Sequence, residues 1–189
     1  MKNIIAIITA AILSIVCFGQ EAHLKFKGIS IEGNYKAFAQ KLIQKGFTQI
    51  ESSEDGIILS GNFMATPNVM VLVYPDPTTK AVSAVSAMIE AGNNWPSIEG
   101  QYYKVVDTYK EKYGAPKEHF ESFTSSPSSD WDKKHALYEG QCNYKSQWSV
   151  EGGRIIISLV YFQLNNYVVC AYVDEQNEKA LRKTIIDDI

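Results

Sequence analysis

Apolar residues recur along this chain in two rhythms, one helical and one strand-like, and the rhythm changes wherever glycine or proline interrupts it. Tyr35, Phe38, Ala39, Leu42 and Ile43 fall at helical spacing, with Lys36, Gln40, Lys41 and Lys45 on the other side. Asn34 is placed to cap this helix and Gly46 to stop it. Beyond Gly46 the pattern predicts four strands: Phe47 to Ser53, Ile57 to Met64 after the hairpin signal Asp55-Gly56, the continuous apolar run Val69 to Tyr74, and Ala81 to Glu90.

The plan then recurs. Ile98-Glu99-Gly100-Gln101-Tyr102-Tyr103-Lys104 echoes Ile31-Glu32-Gly33-Asn34-Tyr35-Lys36, as a duplicated helix-plus-meander unit would. Ser97 can cap a helix with Tyr102, Val105, Val106, Tyr109 and Tyr113 on one face, ended by Gly114-Ala115-Pro116. Lys117 to Thr124 reads as a strand and Ser125 to Asp130 as a polar loop. Asp132 to Tyr138 fits either a helical turn or a loop. Strands follow over Gly140 to Val150, Arg154 to Phe162 and Tyr167 to Asp174, with a closing helix from Asn177 to Ile189.

With strands more than twice as numerous as helices and joined by short turns, an α+β fold follows: two helix-plus-four-strand repeats, about 23–92 and 96–189, in one curved antiparallel sheet with helices on one face. Ahead of it, Ile4 to Phe18 is an apolar run behind Lys2, too short for a membrane span. We read residues 1–19 as a signal peptide, with cleavage after Gly19, and residues 20–189 as a single domain placed in the periplasm or secreted. The rival is a lipoprotein anchored at Cys17, against which the β-branched Val16 argues.

His23-Leu24-Lys25-Phe26-Lys27-Gly28-Ile29 ahead of Ile31-Glu32-Gly33, then Gly46-Phe47, Gly61-Asn62-Phe63, Tyr109 to Pro116 and Tyr138-Glu139-Gly140-Gln141-Cys142 together resemble a group of secreted proteins of Bacteroidetes-type bacteria that share the β-lactamase inhibitor protein fold. The resemblance spans nearly the whole chain after the leader. It implies the tandem architecture and carries no activity, because its motifs are turn, cap and packing residues. The inhibitor family has a disulfide in each repeat, whereas the first unit here has no cysteine, so no inhibitory residue is carried over.

The formal net charge of −3, from 18 Lys and Arg against 21 Asp and Glu, comes without a basic cluster. Nucleic acid and anionic membranes are poor partners for such a surface, and no stable membrane insertion is expected after cleavage. Cys142 and Cys170 could pair in an oxidising compartment or remain two apolar thiols. His119 with Glu121 shares a strand face, and His135 with Glu139 lies one helical turn apart, but no further ligand completes a metal site. Asp130-Trp131-Asp132 begins like a calcium loop and then fails, with Lys134 where an oxygen ligand belongs. Nucleophile elbow, Cys-x-x-Cys and phosphate-binding glycine motifs are absent. The expectation is a non-catalytic protein with no cofactor and no metal.

The strands carry more aromatics than one helix-covered face needs, so an open aromatic sheet face is expected to bind a protein or polymer partner. The candidate contact residues are Trp95, Trp131, Trp148, Tyr144, Tyr161 and Phe63. Trp95 and Trp131 read as loop residues at its margin, with core packing as the competing assignment, favoured for Trp148. The alternatives are a carrier of a small apolar ligand and a hydrolase whose site is assembled from distant residues.

Overall fold

A short hairpin, β1 (Lys25–Phe26) and β2 (Ile29–Ser30), begins the fold in a computed structural model that describes residues 22–187. The leader reading and the final residues Asp188 and Ile189 lie outside the described residues. Helix α1 (Tyr35–Gln44) is followed by β3 (Thr48–Ser52), β4 (Ile57–Phe63), β5 (Thr66–Pro75) and β6 (Val82–Glu90). Helix α2 (Trp95–Tyr113) is followed by β7 (Glu118–Phe123), α3 (Asp130–Tyr138), β8 (Cys142–Val150), β9 (Gly153–Phe162), β10 (Asn165–Asp174) and α4 (Glu175–Asp187).

Strands β3 to β10 form one antiparallel sheet in the order β3-β4-β5-β6-β10-β9-β8-β7. In each half the strand that directly follows the first helix is an edge of the sheet, and the fourth strands, β6 and β10, meet at the centre. The register sets a single row across the helix-covered face: Leu59, Val71, Ala87, Cys170, Ile157 and Ser146 stand side by side on β4, β5, β6, β10, β9 and β8. All six are 0% exposed. The neighbouring row on the other face, Ile58, Leu72, Ser86, Ala171, Ile156 and Gln147, is mostly half-buried.

Helix α1 buries Tyr35, Phe38, Ala39 and Leu42 over β4, β5 and β6, and α2 packs on β8, β9 and β10. Asn34 caps α1 as expected, its side chain accepting from the Lys36 N–H at 2.9 Å. The second helix starts earlier than Ser97: Asn94 is the cap and accepts from the Ser97 N–H at 2.9 Å, with Trp95 and Pro96 in the first turn. Proline fits that turn because its missing N–H would be unpaired there anyway. The ambiguous stretch near Asp132 is helical from Asp130, because Ser129 and Asp132 form a reciprocal capping box.

The β1–β2 hairpin lies across the join of the two halves. Phe26 stacks on Phe63 of β4 at 5.5 Å between centroids and meets Tyr172 of β10 edge-on at 5.1 Å. Buried Asp174 secures the neighbouring chain, accepting from the Leu24 N–H at 2.7 Å and, through its second oxygen, from the Asn177 N–H at 3.0 Å as the cap of α4. Gly152, with φ +82, turns β8 into β9 directly under this segment. A Cβ there would strike the backbone of Ala22 and Leu24. From Asp174 the last helix reaches Arg154 at the margin of the second sheet face, where Glu178 accepts two guanidinium bonds of 2.5 and 2.8 Å.

Leu42 is 0% exposed, so Leu42→Ala is expected to cost about 2–5 kcal/mol in a denaturant titration. The Arg154 bonds hold the Glu178 carboxyl below its ordinary value. Its contribution is therefore present above the normal carboxylate range and is lost as pH falls through the lowered value. Both side chains are more than a third exposed, which limits the effect to below about 1 kcal/mol. A Glu178→Gln variant should lack that acid-side loss when stability is measured against pH.

Candidate functional site

The six aromatics expected at a contact surface divide sharply. Trp95, Trp148, Phe63 and Tyr144 are 1%, 2%, 5% and 7% exposed and belong to the core, which corrects their assignment to an open aromatic sheet face and gives Trp148 the core position that was its favoured alternative. For Tyr144 and Trp148 the reason is parity: their register places them on the face beneath the helices, whereas Phe63 follows a register shift in β4 and is covered by Phe26 of the first hairpin. Trp148 also donates from its indole N–H to the Gly114 carbonyl at 2.9 Å, at the end of α2. Trp95 is buried because the helix begins before it, so its ring turns inward against Phe123 and Tyr144 at 5.5 and 5.4 Å. The second sheet face carries Tyr74, Phe162, Tyr167 and Phe120 instead, among half-buried aliphatic side chains.

Trp131 and Tyr161 do come together. Trp131, 70% exposed, stacks on His135 one turn along α3 at 5.1 Å and 21° between planes. His135 neighbours Tyr138 at 6.0 Å, and Tyr138 meets Tyr161 of β9 edge-on at 4.8 Å. These four rings border a groove of about 200 Å³ closed by Leu164 of the β9–β10 turn and by Asn93, Lys134 and Asn166. Leu164 is 83% exposed and Tyr138 is 55% exposed. Asn166 is buried: it donates to the Gly92 carbonyl at 2.9 Å, while its side-chain oxygen has no partner. Tyr138 and Leu164 escaped sequence reasoning, which weighed His135 only with Glu139 as a pair of metal ligands. The 131, 135, 138 spacing was the available signal, and it carries meaning only once that stretch is known to be helical.

A second polar cluster lies where α2 crosses β7 and β8. The Ser146 hydroxyl is 2.8 Å from both Tyr102 Oη and His119 Nδ1, and His119 Nε2 is 3.0 Å from Glu121 Oε1. Tyr103 donates to the other Glu121 oxygen at 2.9 Å, and Tyr144 to Glu99 at 2.9 Å. The order serine, histidine, carboxylate is that of a nucleophile relay. Here, however, the hydroxyl is mid-strand, 0% exposed and shared with a tyrosine, so it offers a substrate no surface. Burial raises Tyr102 to about 12 and, with the Glu121 contact, Tyr103 to about 12, which keeps both as neutral donors near pH 7. The cluster fastens edge strand β7 to the body of the fold.

Cys142 and Cys170 are both free. In register, Cys170 stands beside Ile157 and Ile157 beside Ser146, so the two thiols lie two strands apart and four residues out of line. That is roughly 10 Å across by 13 Å along, against an upper limit of about 7 Å between Cα atoms for a disulfide. Burial pushes the Cys142 thiol up to about 11 and the Cys170 thiol up to about 12, which makes both poor nucleophiles.

Among the described residues no three histidine, cysteine or carboxylate side chains gather as a metal-binding group, and no helix is long and apolar enough to cross a membrane. No family model, curated protein or solved structure matches the chain.

Ser146→Ala would leave the Tyr102 hydroxyl and the His119 ring without their shared partner. The expected loss is about 1–3 kcal/mol in global stability, measured by denaturant titration beside a control at exposed Ser122.

Proposed function

We propose that this chain is an exported, non-catalytic binding module of the β-lactamase-inhibitor-like tandem architecture, and that it holds a protein or polymer partner at the Trp131 groove. The observation that carries this reading is the concentration of exposed apolar side chains. Among the described residues eight large hydrophobic side chains are exposed, and three of them, Trp131, Tyr138 and Leu164, border this one groove. Tryptophan and tyrosine supply large contact area with little side-chain freedom to lose, which is why they dominate the energetic centres of interfaces.

This reading moves the contact surface from the open sheet face to its margin. The second face sets Tyr74, Phe120, Phe162 and Tyr167 among Ile58, Leu72, Ala171 and Ile156, and these four aromatics do not stack on one another as the rings of the groove do. The groove presents rings together with the polar groups of Asn93, Lys134 and His135, so it can both bury apolar surface and orient what it holds. The acidic overall balance favours a partner other than nucleic acid.

Trp131→Ala and Tyr138→Ala are expected to weaken capture of the partner by at least about 2 kcal/mol each. Because both side chains are largely exposed, their removal should shift folding stability by less than about 0.5 kcal/mol. The measurement is quantitative pull-down from extracts of the exporting cell with the parent protein and each variant in parallel. Equal capture by all three would place the contact surface elsewhere.

A further inference from the structure

An aromatic-floored cleft lies beside the C-terminal part of α2, separate from the Trp131 groove. It has a volume of about 580 Å³, within the range of roughly 300–1,000 Å³ typical of small-molecule sites. Phe63 and Met64 at the β4–β5 turn, Tyr109 and Tyr113 on α2, Tyr172 on β10 and Val150 on β8 form its apolar surface. The Tyr109 and Tyr172 hydroxyls are hydrogen-bonded to each other, so this floor shows its rings rather than free polar groups.

The rim is cationic. Lys25 and Lys27 overhang it from the β1–β2 hairpin and Lys112 from the last turn of α2, with Glu151 as the single carboxylate among the lining residues. Lys27 and Gly28 form the hairpin turn with φ of +52 and +77, the geometry of a tight type I′ turn, which stations Lys27 at its tip. The Lys112 ammonium lies 4.8 Å from the centre of the Tyr113 ring, at the edge of the aromatic wall. Among the described residues none of these three lysines is in an ion pair with a carboxylate. Three unpaired ammonium groups around one apolar cleft are a local reversal of sign in a chain whose net charge is −3.

We propose that this cleft binds a carboxylate-headed acyl chain, with the hydrocarbon on Phe63, Met64, Tyr113 and Tyr172 and the carboxylate at the Lys25, Lys27 and Lys112 rim. Apolar area drives insertion of the chain into the cleft. The lysines act as point charges that favour an anionic head over a neutral or cationic one of the same length. This site stands or falls independently of the Trp131 groove, with which it shares no lining residue.

The test is titration of the purified protein with dodecanoate, dodecanol and dodecyltrimethylammonium below their micelle concentrations, followed by calorimetry and by the Met64 methyl resonance. Dodecanoate should bind about tenfold more tightly than dodecanol in low salt, with the cation weakest, and the Met64 methyl signal should shift in step with occupancy. The triple variant Lys25→Gln, Lys27→Gln, Lys112→Gln should erase the preference for carboxylate while leaving dodecanol affinity and the melting temperature unchanged. Equal binding of the three probes by the parent protein, a carboxylate preference that survives the triple variant, dodecanoate binding that leaves the Met64 methyl unmoved, or no saturable dodecanoate binding would each overturn the proposal.

Discussion

The pairing of β6 with β10 is the constraint on which the rest of this molecule depends. Seven residue pairs, from Tyr167 opposite Glu90 to Val173 opposite Ala84, join two four-strand sets into one sheet. At the middle of that seam the helix-covered face carries two small side chains, Ala87 and Cys170, where larger ones fill the row on either side. The ring of Tyr109 descends from α2 at this point, its hydroxyl meeting that of Tyr172. Small residues at the seam and a large one above it are complementary parts of one packing solution. A bulkier pair on the strands would lift α2 and with it the Trp95, Tyr102 and Val106 contacts.

Much of this was legible in the sequence, and the part that was not has a common cause. Helical faces such as Tyr35, Phe38 and Leu42 could be read because the helical period itself identifies the buried side. Strand positions were legible as strands, but the direction in which each aromatic points depends on which neighbour supplies the helices. An alternating pattern with apolar residues on both faces, as in Arg154 to Phe162, withholds that information. Tyr144 was misplaced for this reason, Phe63 lies past a register shift in β4, and Trp148 takes the core position that was its favoured assignment. Trp95 was misplaced by a shift of three residues in a helix start, because Asn94 outcompetes Ser97 as the cap. In the candidate site, Trp131 and Tyr161 could be named singly, yet their meeting required α3 to be a helix packed on β9, a tertiary fact.

The polar interior follows a similar logic. Ser146, Tyr102, His119 and Glu121 come from three elements and acquire a relay-like order only through the β7–β8 register. The arrangement shows how far sequence-distant residues can approach the geometry of a reactive site while serving attachment. Burial is what separates the two roles: a hydroxyl closed over by its own partners spends its hydrogen bonds on holding the fold. Cys142 and Cys170 make the same point, since two thiols beyond an apolar N-terminal run suggest a bridge that the strand order forbids.

The two sheet edges carry a consequence for how these molecules meet one another. Strand β3 is only five residues long, exposed throughout, and interrupted by a bulge between Gln49 and Glu51. Strand β7 sets Glu118, His119 and Glu121 along the opposite border. An open eight-stranded sheet is otherwise a template onto which further strands can add, since each edge exposes unpaired backbone groups. A kinked border at one end and a charged one at the other make poor matches for a straight, neutral strand. The sheet is thereby terminated at both sides, in a way that works against edge-to-edge pairing between crowded copies.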